Sequence, residues 1–338
     1  MTKLYIILFL LFSFSFLKKA KAQRVEAKIN GVNFVSPKQK VFVNCVMPTK
    51  RINANWVALC PFAFMAPNNP KVEYNVSKNW WGDKPEGICK LTAYAKTNNQ
   101  KVLLKPHFWV EQQGWPGDYN LDEKNWKLWE NNYRAYMLKL ARLADSLNIE
   151  MLSVGAEFKT ATQKRAQFWS SLIDTVRKVY RGKLTYAANW DEYDKITFWN
   201  KLDYIGIDAY FPLTEDTTPS KEEMEQKWKS ITTALDIFSK KNKKKIIFTE
   251  YGYRSINNCA WKQWQVEGSP ANKDINLLAQ QNAYEALFNV VWNEDWFAGG
   301  FLWKWYSNDN GSGGTSDSDY TPQNKPSENI IKKWYSTN

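Results

Sequence analysis

Eight short apolar runs recur along this chain, separated by segments of helical or loop character, and that alternation constrains the fold more than any other feature. The runs are 30–36, 55–62, 101–110, 150–158, 183–190, 203–211, 244–252 and 297–305. Most are rich in Val, Ile, Leu and aromatics on both faces, as strands covered on both sides of a parallel sheet are. Apolar residues three and four apart mark helices over 125–148, 162–182, 220–241 and 276–294, and a closing helix is expected over 326–335. Gly182 is placed as the C-cap of the second of these. Repeated strand–helix units predict a parallel sheet, and eight of them predict a closed (β/α)8 TIM barrel of the α/β class. The first unit is the weakest, because 37–51 has little helical pattern.

The N-terminus reads as a signal peptide spanning residues 1–22. Lys3 gives the positive start, residues 4–17 the apolar stretch, and Ala20-Lys21-Ala22 the small-residue cleavage site. Fourteen apolar-rich residues are short for a membrane span, so no stable membrane insertion is expected after cleavage. Residues 23–338 then form a single catalytic domain that is exported to the periplasm or the medium. Cleavage removes four Lys and no acid, which lowers the formal net charge from +12 to +8. The remaining positive charge sits in short runs such as 240–245, where basic residues suit a helix end. Basic and aromatic residues do not interleave as a nucleic-acid groove requires, so no nucleic-acid partner is expected. Cys45, Cys60, Cys89 and Cys259 show no zinc spacing, and His107 is the sole histidine. No metal and no organic cofactor is expected, and the protein is expected to act as a monomer.

Two carboxylates carry the chemistry. Glu157 ends the fourth run and Glu250 the seventh. A carboxylate at the C-terminal end of a barrel strand faces the mouth, where active sites of that fold lie, and strands four and seven face each other across it. Retaining glycosidases need such a pair, about 5–5.5 Å apart, one acting as acid/base and the other as nucleophile. The chain has 18 Trp, heavy usage that suits a surface on which sugar rings stack. Trp109, Trp190, Tyr210, Tyr251 and Trp303 lie at strand ends, as do the polar residues His107, Asn189 and Asp208. These eight are the expected substrate contacts: Trp303 is the proposed sugar platform, and Tyr210 is expected to orient Glu250. If Trp303 points inward, strand alternation puts Trp305 there too. Trp80, Trp81 and Asp83 form either an outer subsite or a packed loop, and Trp115, Trp261 and Trp264 either extend subsites or pack loops.

Six motifs resemble those of family 113 glycoside hydrolases: KPHFWV (105–110), SVGAEFK (153–159), YAANWDEY (186–193), DYIGIDAYFPL (203–213), FTEYGYRS (248–255) and GGFLWKWY (299–306). The resemblance covers about residues 30 to 335. It implies a retaining barrel enzyme acting on β-1,4-mannans or manno-oligosaccharides, with Glu157 as acid/base and Glu250 as nucleophile. One position departs from the wider clan, where Asn commonly precedes the acid/base and holds the sugar 2-hydroxyl. Here that place is Ala156, so Asn189 or His107 binds the hydroxyl, or the sugar preference differs. Two other readings stay open: a retaining hydrolase of another β-glycan, and a carbohydrate-binding barrel without catalysis.

Overall fold

The computed structural model describes residues 27–262, 264 and 274–337. The expected signal peptide, and most of the segment 263–273, lie outside the described residues. Each of the eight runs supplies one barrel strand. In chain order these are β1 (Ile29–Phe34), β2 (Trp56–Leu59), β4 (Lys101–Leu104), β6 (Met151–Ala156), β7 (Lys183–Asn189), β8 (Ile205–Asp208), β9 (Ile246–Tyr251) and β10 (Phe297–Trp305). All pair in parallel, and β10 returns to β1 to close the barrel. Among the described residues no helix is long and apolar enough to cross a membrane.

Two runs are longer than the strands they feed. After β2 and β4 the chain breaks at Pro61 and Pro106 and then resumes as β3 (Phe62–Met65) and β5 (His107–Val110), a separate two-stranded parallel sheet. Leu59 pairs with Leu104 and Phe62 with His107, so the two prolines sit on the same rung. Neither can donate a ladder hydrogen bond, and both strands leave the barrel together there. The small sheet alternates cleanly. Ala63, Met65, Phe108 and Val110 are buried, whereas Phe62, Phe64, His107 and Trp109 face outward. The turn from Val110 to Gly114 closes on a backbone hydrogen bond, with Gly114 at φ +78° against the Trp109 ring. A side chain at Gly114 would meet both that strained backbone region and the indole.

The helices are α1 (Pro85–Thr97), α2 (Glu123–Ser146), α3 (Lys159–Lys164), α4 (Ala166–Arg177), α5 (Lys221–Asn242), α6 (Leu277–Val291) and α7 (Ser327–Ser336). Asp122, Ser220 and Asn276 cap α2, α5 and α6 by accepting from a backbone N–H three residues on. The helix expected over 162–182 is in fact two. It breaks at Arg165, whose guanidinium pairs with Glu130 at 2.6 Å and Glu123 at 3.0 Å on α2. Its second part ends at Arg177, so Gly182 caps nothing and lies against the Tyr180 ring. Helix α1 escaped the sequence pattern because its buried face includes Gly87, Thr92 and Ala95, which make a weak apolar stripe.

Two clusters make the core. Ile29, Trp56, Ala58, Cys60, Leu103, Met151, Ile247 and Phe301 fill the barrel interior, with Trp303 packed on top. A much larger cluster lies between barrel and helices, rich in Trp129, Trp169, Trp228 and Trp292. Most of the tryptophans are therefore packing residues, and the composition argument for sugar binding rests on only a few of them. Closing the barrel with parallel strands sends every C-terminal strand end to one mouth.

Candidate active site

At that mouth lies an open cavity of about 940 Å3. Its lining includes Glu157 and Glu250 together with His107, Trp109, Asn189, Trp190, Tyr210 and Trp303, so ten expected site residues reduce to eight that meet there. The other two do not reach it. Asp208 lies beneath the floor, 1% exposed, where it accepts from Thr249 Oγ1 at 2.7 Å. Tyr251 corrects the sequence reading. Strand alternation sets it opposite Glu250, in the layer between barrel and helices, where its hydroxyl meets that of Tyr335 at 2.6 Å. Trp305 also turns away. A bulge opposite Asn33 and Phe34 interrupts the alternation, and Trp305 is buried under Arg51 while Trp303 faces the cavity. The Trp80–Asp83 loop does not line the cavity, whereas Trp115 and Trp264 do.

Glu250 is held from two sides. Tyr210 donates its hydroxyl to Oε2 at 2.7 Å. Lys105 Nζ donates to Oε1 and lies 3.5 Å from Asp208 Oδ1. Lys105 is wholly buried, since it is the residue after β4 and follows Leu103 by two, on the barrel-interior face. Burial works to discharge its ammonium, but the charges of Asp208 and Glu250 outweigh this and raise its pKa above the usual lysine value. His107 Nε2 sits 3.3 Å from the same Oε1, out of line for a hydrogen bond. Burial, then the Lys105 charge, depress the imidazole well below its ordinary pKa, so it faces Glu250 neutral. Its ring stacks on Trp303 at 5.4 Å and 12°, leaving the rest of the indole to the cavity.

Glu157 stands in the opposite environment. Its backbone adopts φ +55° and its N–H donates to Ala187 O at 2.8 Å, which ends β6 and aims the side chain across the mouth. Trp115 Nε1 donates to Oε2 at 2.8 Å. No cation pairs directly with its carboxyl among the described residues. Burial raises its pKa well above the ordinary value, and the charges of Asp208, Glu250 and Glu192 push the same way. Glu192, fully buried behind this wall, is itself pushed up to about 8 by burial. A proton-holding Glu157 across the cavity from a Glu250 bonded to an ammonium is the arrangement that acid-assisted displacement needs.

Around the pair, Trp190 lies 5.8 Å from Trp264, and Tyr320 packs edge-on against Tyr210. Lys159 and Asp191 pair at 2.7 Å on the rim. Ala156 presents its methyl group to the cavity beside Glu157. Sequence reasoning missed Lys105 and Tyr320. Alternation from Leu103 does place Lys105 inward, but a run apolar on both faces does not tell which face is inward. No group of His, Cys, Asp or Glu suited to a metal ion occurs among the described residues. The four cysteines are unpaired thiols.

Comparison with known proteins bears on the same arrangement. The β-mannanase AaManA from Alicyclobacillus acidocaldarius, a family 113 enzyme in complex with ManMIm, superposes with a TM-score of 0.79 at 24% identity over 92% of this chain and 97% of that one. A second family 113 β-1,4-mannanase gives 0.77 at 25% identity, over 92% and 100%. The β-glucuronidase of Ruminococcus gnavus shares the fold alone, with a TM-score of 0.61 at 12% identity, over 91% of this chain and half of that one. Among curated proteins none matches. The model of Glycoside Hydrolase Family 113 matches residues 39–325, nearly the whole described barrel, and the chain belongs to that family.

Proposed function

We propose that this glycoside hydrolase is an exported, retaining β-mannanase that cleaves β-1,4-mannosidic bonds in mannans or manno-oligosaccharides. The observation that carries the mechanism is the contrast just described: Glu157 buried among like charges and Glu250 paired with Lys105, both on one cavity. Glu250 attacks the anomeric carbon as the glycosidic bond breaks, and the bonding pair goes to the leaving oxygen, which takes a proton from Glu157. In the second step Glu157 removes a proton from water, water oxygen bonds to the anomeric carbon, and the ester electrons return to Glu250. Trp303 provides the ring surface at the cleavage point. Trp109, Trp115, Trp190 and Trp264 extend aromatic surface along a cavity too large for a single sugar ring, near the upper end of the roughly 300–1,000 Å3 that ligand pockets span. The mannan specificity rests on the family 113 β-mannanases that the chain resembles. Export rests on residues 1–22.

The test offers purified enzyme β-mannan, manno-oligosaccharides, cello-oligosaccharides and galactan side by side, with Glu250→Gln as control. Short manno-oligosaccharides of retained anomeric configuration, abolished at least a thousandfold by the substitution, are expected. Preferred cleavage of another glycan would overturn the substrate assignment, and binding without cleavage on all four would overturn the enzymatic one.

A further inference from the structure

Among the described residues around Glu250, Lys105 is a group that the two-carboxylate mechanism leaves unexplained. A lysine with no solvent exposure is rare unless paired, because its ammonium must be compensated within the fold. Its Nζ reaches one oxygen of Glu250, lies 3.5 Å from Asp208 Oδ1, and sits 5.7 Å from the centroid of Trp303. The titratable groups on every element around it are acidic or neutral: Cys60 after β2, His107 on β5, Glu157 after β6, Glu192 after β7, Asp208 and Tyr210 at β8, and Glu250 on β9. Asp83 acts from behind Cys60. The site therefore gathers several carboxyls around one buried cation.

We propose that Lys105 is the positioning residue that holds the Glu250 carboxyl aimed at the anomeric carbon, its ammonium being the counter-charge that Glu250 faces among the crowded carboxyls. Three features carry this. The Lys105 ammonium bonds Oε1 while Tyr210 bonds Oε2, so both oxygens are fixed and the carboxylate plane is set. Pro106 ends β4 immediately after Lys105, and the backbone N–H of Lys105 is itself tied to Leu59 O at 2.8 Å, so the side chain issues from a pinned point of the barrel. Cys60 and Asn33 pack the floor beneath it with neutral groups, Cys60 Sγ lying 3.4 Å from Asn33 Oδ1. In the second step the same ammonium favours the return of negative charge to Glu250 as the ester opens.

The proposal rests on Glu250 being the nucleophile, which is tested separately by labelling the wild-type enzyme with a 2-deoxy-2-fluoro-β-mannosyl fluoride and locating the adduct by mass spectrometry. Label elsewhere than Glu250 overturns that reading whatever Lys105 does. With Glu250 labelled, Lys105→Gln and Lys105→Met are compared with wild type by kcat/KM on an activated aryl β-mannoside from pH 5 to pH 8, with Tm measured alongside. Without the ammonium, Glu250 takes up a proton at higher pH, so the acidic limb moves up. The loss relative to wild type is expected to grow about tenfold or more between pH 8 and pH 5, one pH unit of limb displacement being a factor of ten below both limbs. Lys105→Arg, which keeps the charge, should leave the limb in place even where turnover falls. An equal loss at every pH in the Gln and Met variants, or a displaced limb in the Arg variant, overturns the proposal. If Gln and Met fail to fold, the Arg variant alone still decides, since a displaced limb there contradicts a role through charge.

Discussion

The two sides of the barrel mouth hold chemically identical side chains in opposed settings. On the β9 side Glu250 receives a buried ammonium and a phenol. On the β6 side Glu157 receives one neutral indole N–H and faces the buried carboxyls of Asp208, Glu250 and Glu192. A carboxyl crowded by burial and like charge keeps its proton, and one paired with a cation gives it up. The difference fits the proposed roles, Glu157 as acid and Glu250 as nucleophile, on grounds independent of any relative. It also shows how one barrel makes both. The β9 side draws its cation from β4, where a proline break lets a lysine end the strand pointing inward. The β6 side is walled by Trp115 and by the turn that buries Glu192.

The strongest way to break the comparison is to remove the acid. Glu157→Ala should lower kcat on β-mannan by about 10²–10⁴-fold, the range general acid catalysis supplies. An aryl mannoside whose leaving group needs no proton should be spared in the first step, so that adding azide restores turnover. Equal losses on both substrates, with no azide rescue, would mean the two sides do not divide acid from nucleophile as described. A smaller change sharpens the same contrast. Trp115→Phe removes the hydrogen bond at 2.8 Å to Glu157 Oε2 while keeping aromatic bulk. That bond favours the ionised form, so its loss should hold the proton longer and move the basic limb of the kcat/KM profile to higher pH. Turnover on mannan should fall by roughly tenfold, one hydrogen bond to a charged group contributing about 1.5–3 kcal/mol at most. A basic limb that does not move would place Trp115 outside the acid's environment, and one that moves down would contradict a bond that favours the ionised form.

The barrel and the pair of glutamates were legible because both rest on strong, repeated signals. Eight apolar runs set the topology, and strand ends of a parallel barrel have only one mouth to meet at. What the sequence hid was facing. Asp208 and Tyr251 are adjacent or near in sequence to cavity residues, and neither lines the cavity: Asp208 shares the rung of Asn189 and Glu250 but is buried against Thr249, and Tyr251 lies on the opposite face of β9. Alternation alone would have separated Tyr251 from Glu250. Trp303 and Trp305 fail the same rule in the other direction, because a bulge between them is invisible in composition. Pro61 and Pro106 did announce breaks, yet their sharing one rung, and hence the extra sheet that carries His107 and Trp109, depends on pairing between segments some 45 residues apart. Lys105 was hidden for a related reason: a single lysine before a proline reads as a strand end reaching solvent, and only the closed barrel turns it inward.

The least disruptive change tests the electrostatics of the Glu157 wall through stability. Glu192 accepts from the Asn189 N–H at 3.1 Å and from Tyr186 Oη at 3.4 Å with one oxygen, while the other meets no partner, as suits a carboxyl that stays protonated. In the folded protein burial moves its pKa up from 4.5 to about 8. The unfolded chain sheds this proton near the ordinary value, the folded chain only at the higher one. Between them the folded state binds more proton, so raising pH draws the equilibrium toward unfolding, and the loss levels off above the folded value. Glu192→Gln has no proton to lose and keeps the oxygen that accepts from Asn189. The Tm of the variant minus that of wild type should therefore rise between pH 5 and pH 8, by roughly 1.5 °C for each 1 kcal/mol of destabilisation removed. Because Glu192 is uncharged below about pH 8, the substitution should leave the mannan-cleavage profile in place below that pH. Parallel Tm curves for the two proteins across that range would show that Glu192 is already ionised when folded, and its negative charge would then add to the crowding that sets the β6 side apart from the β9 side.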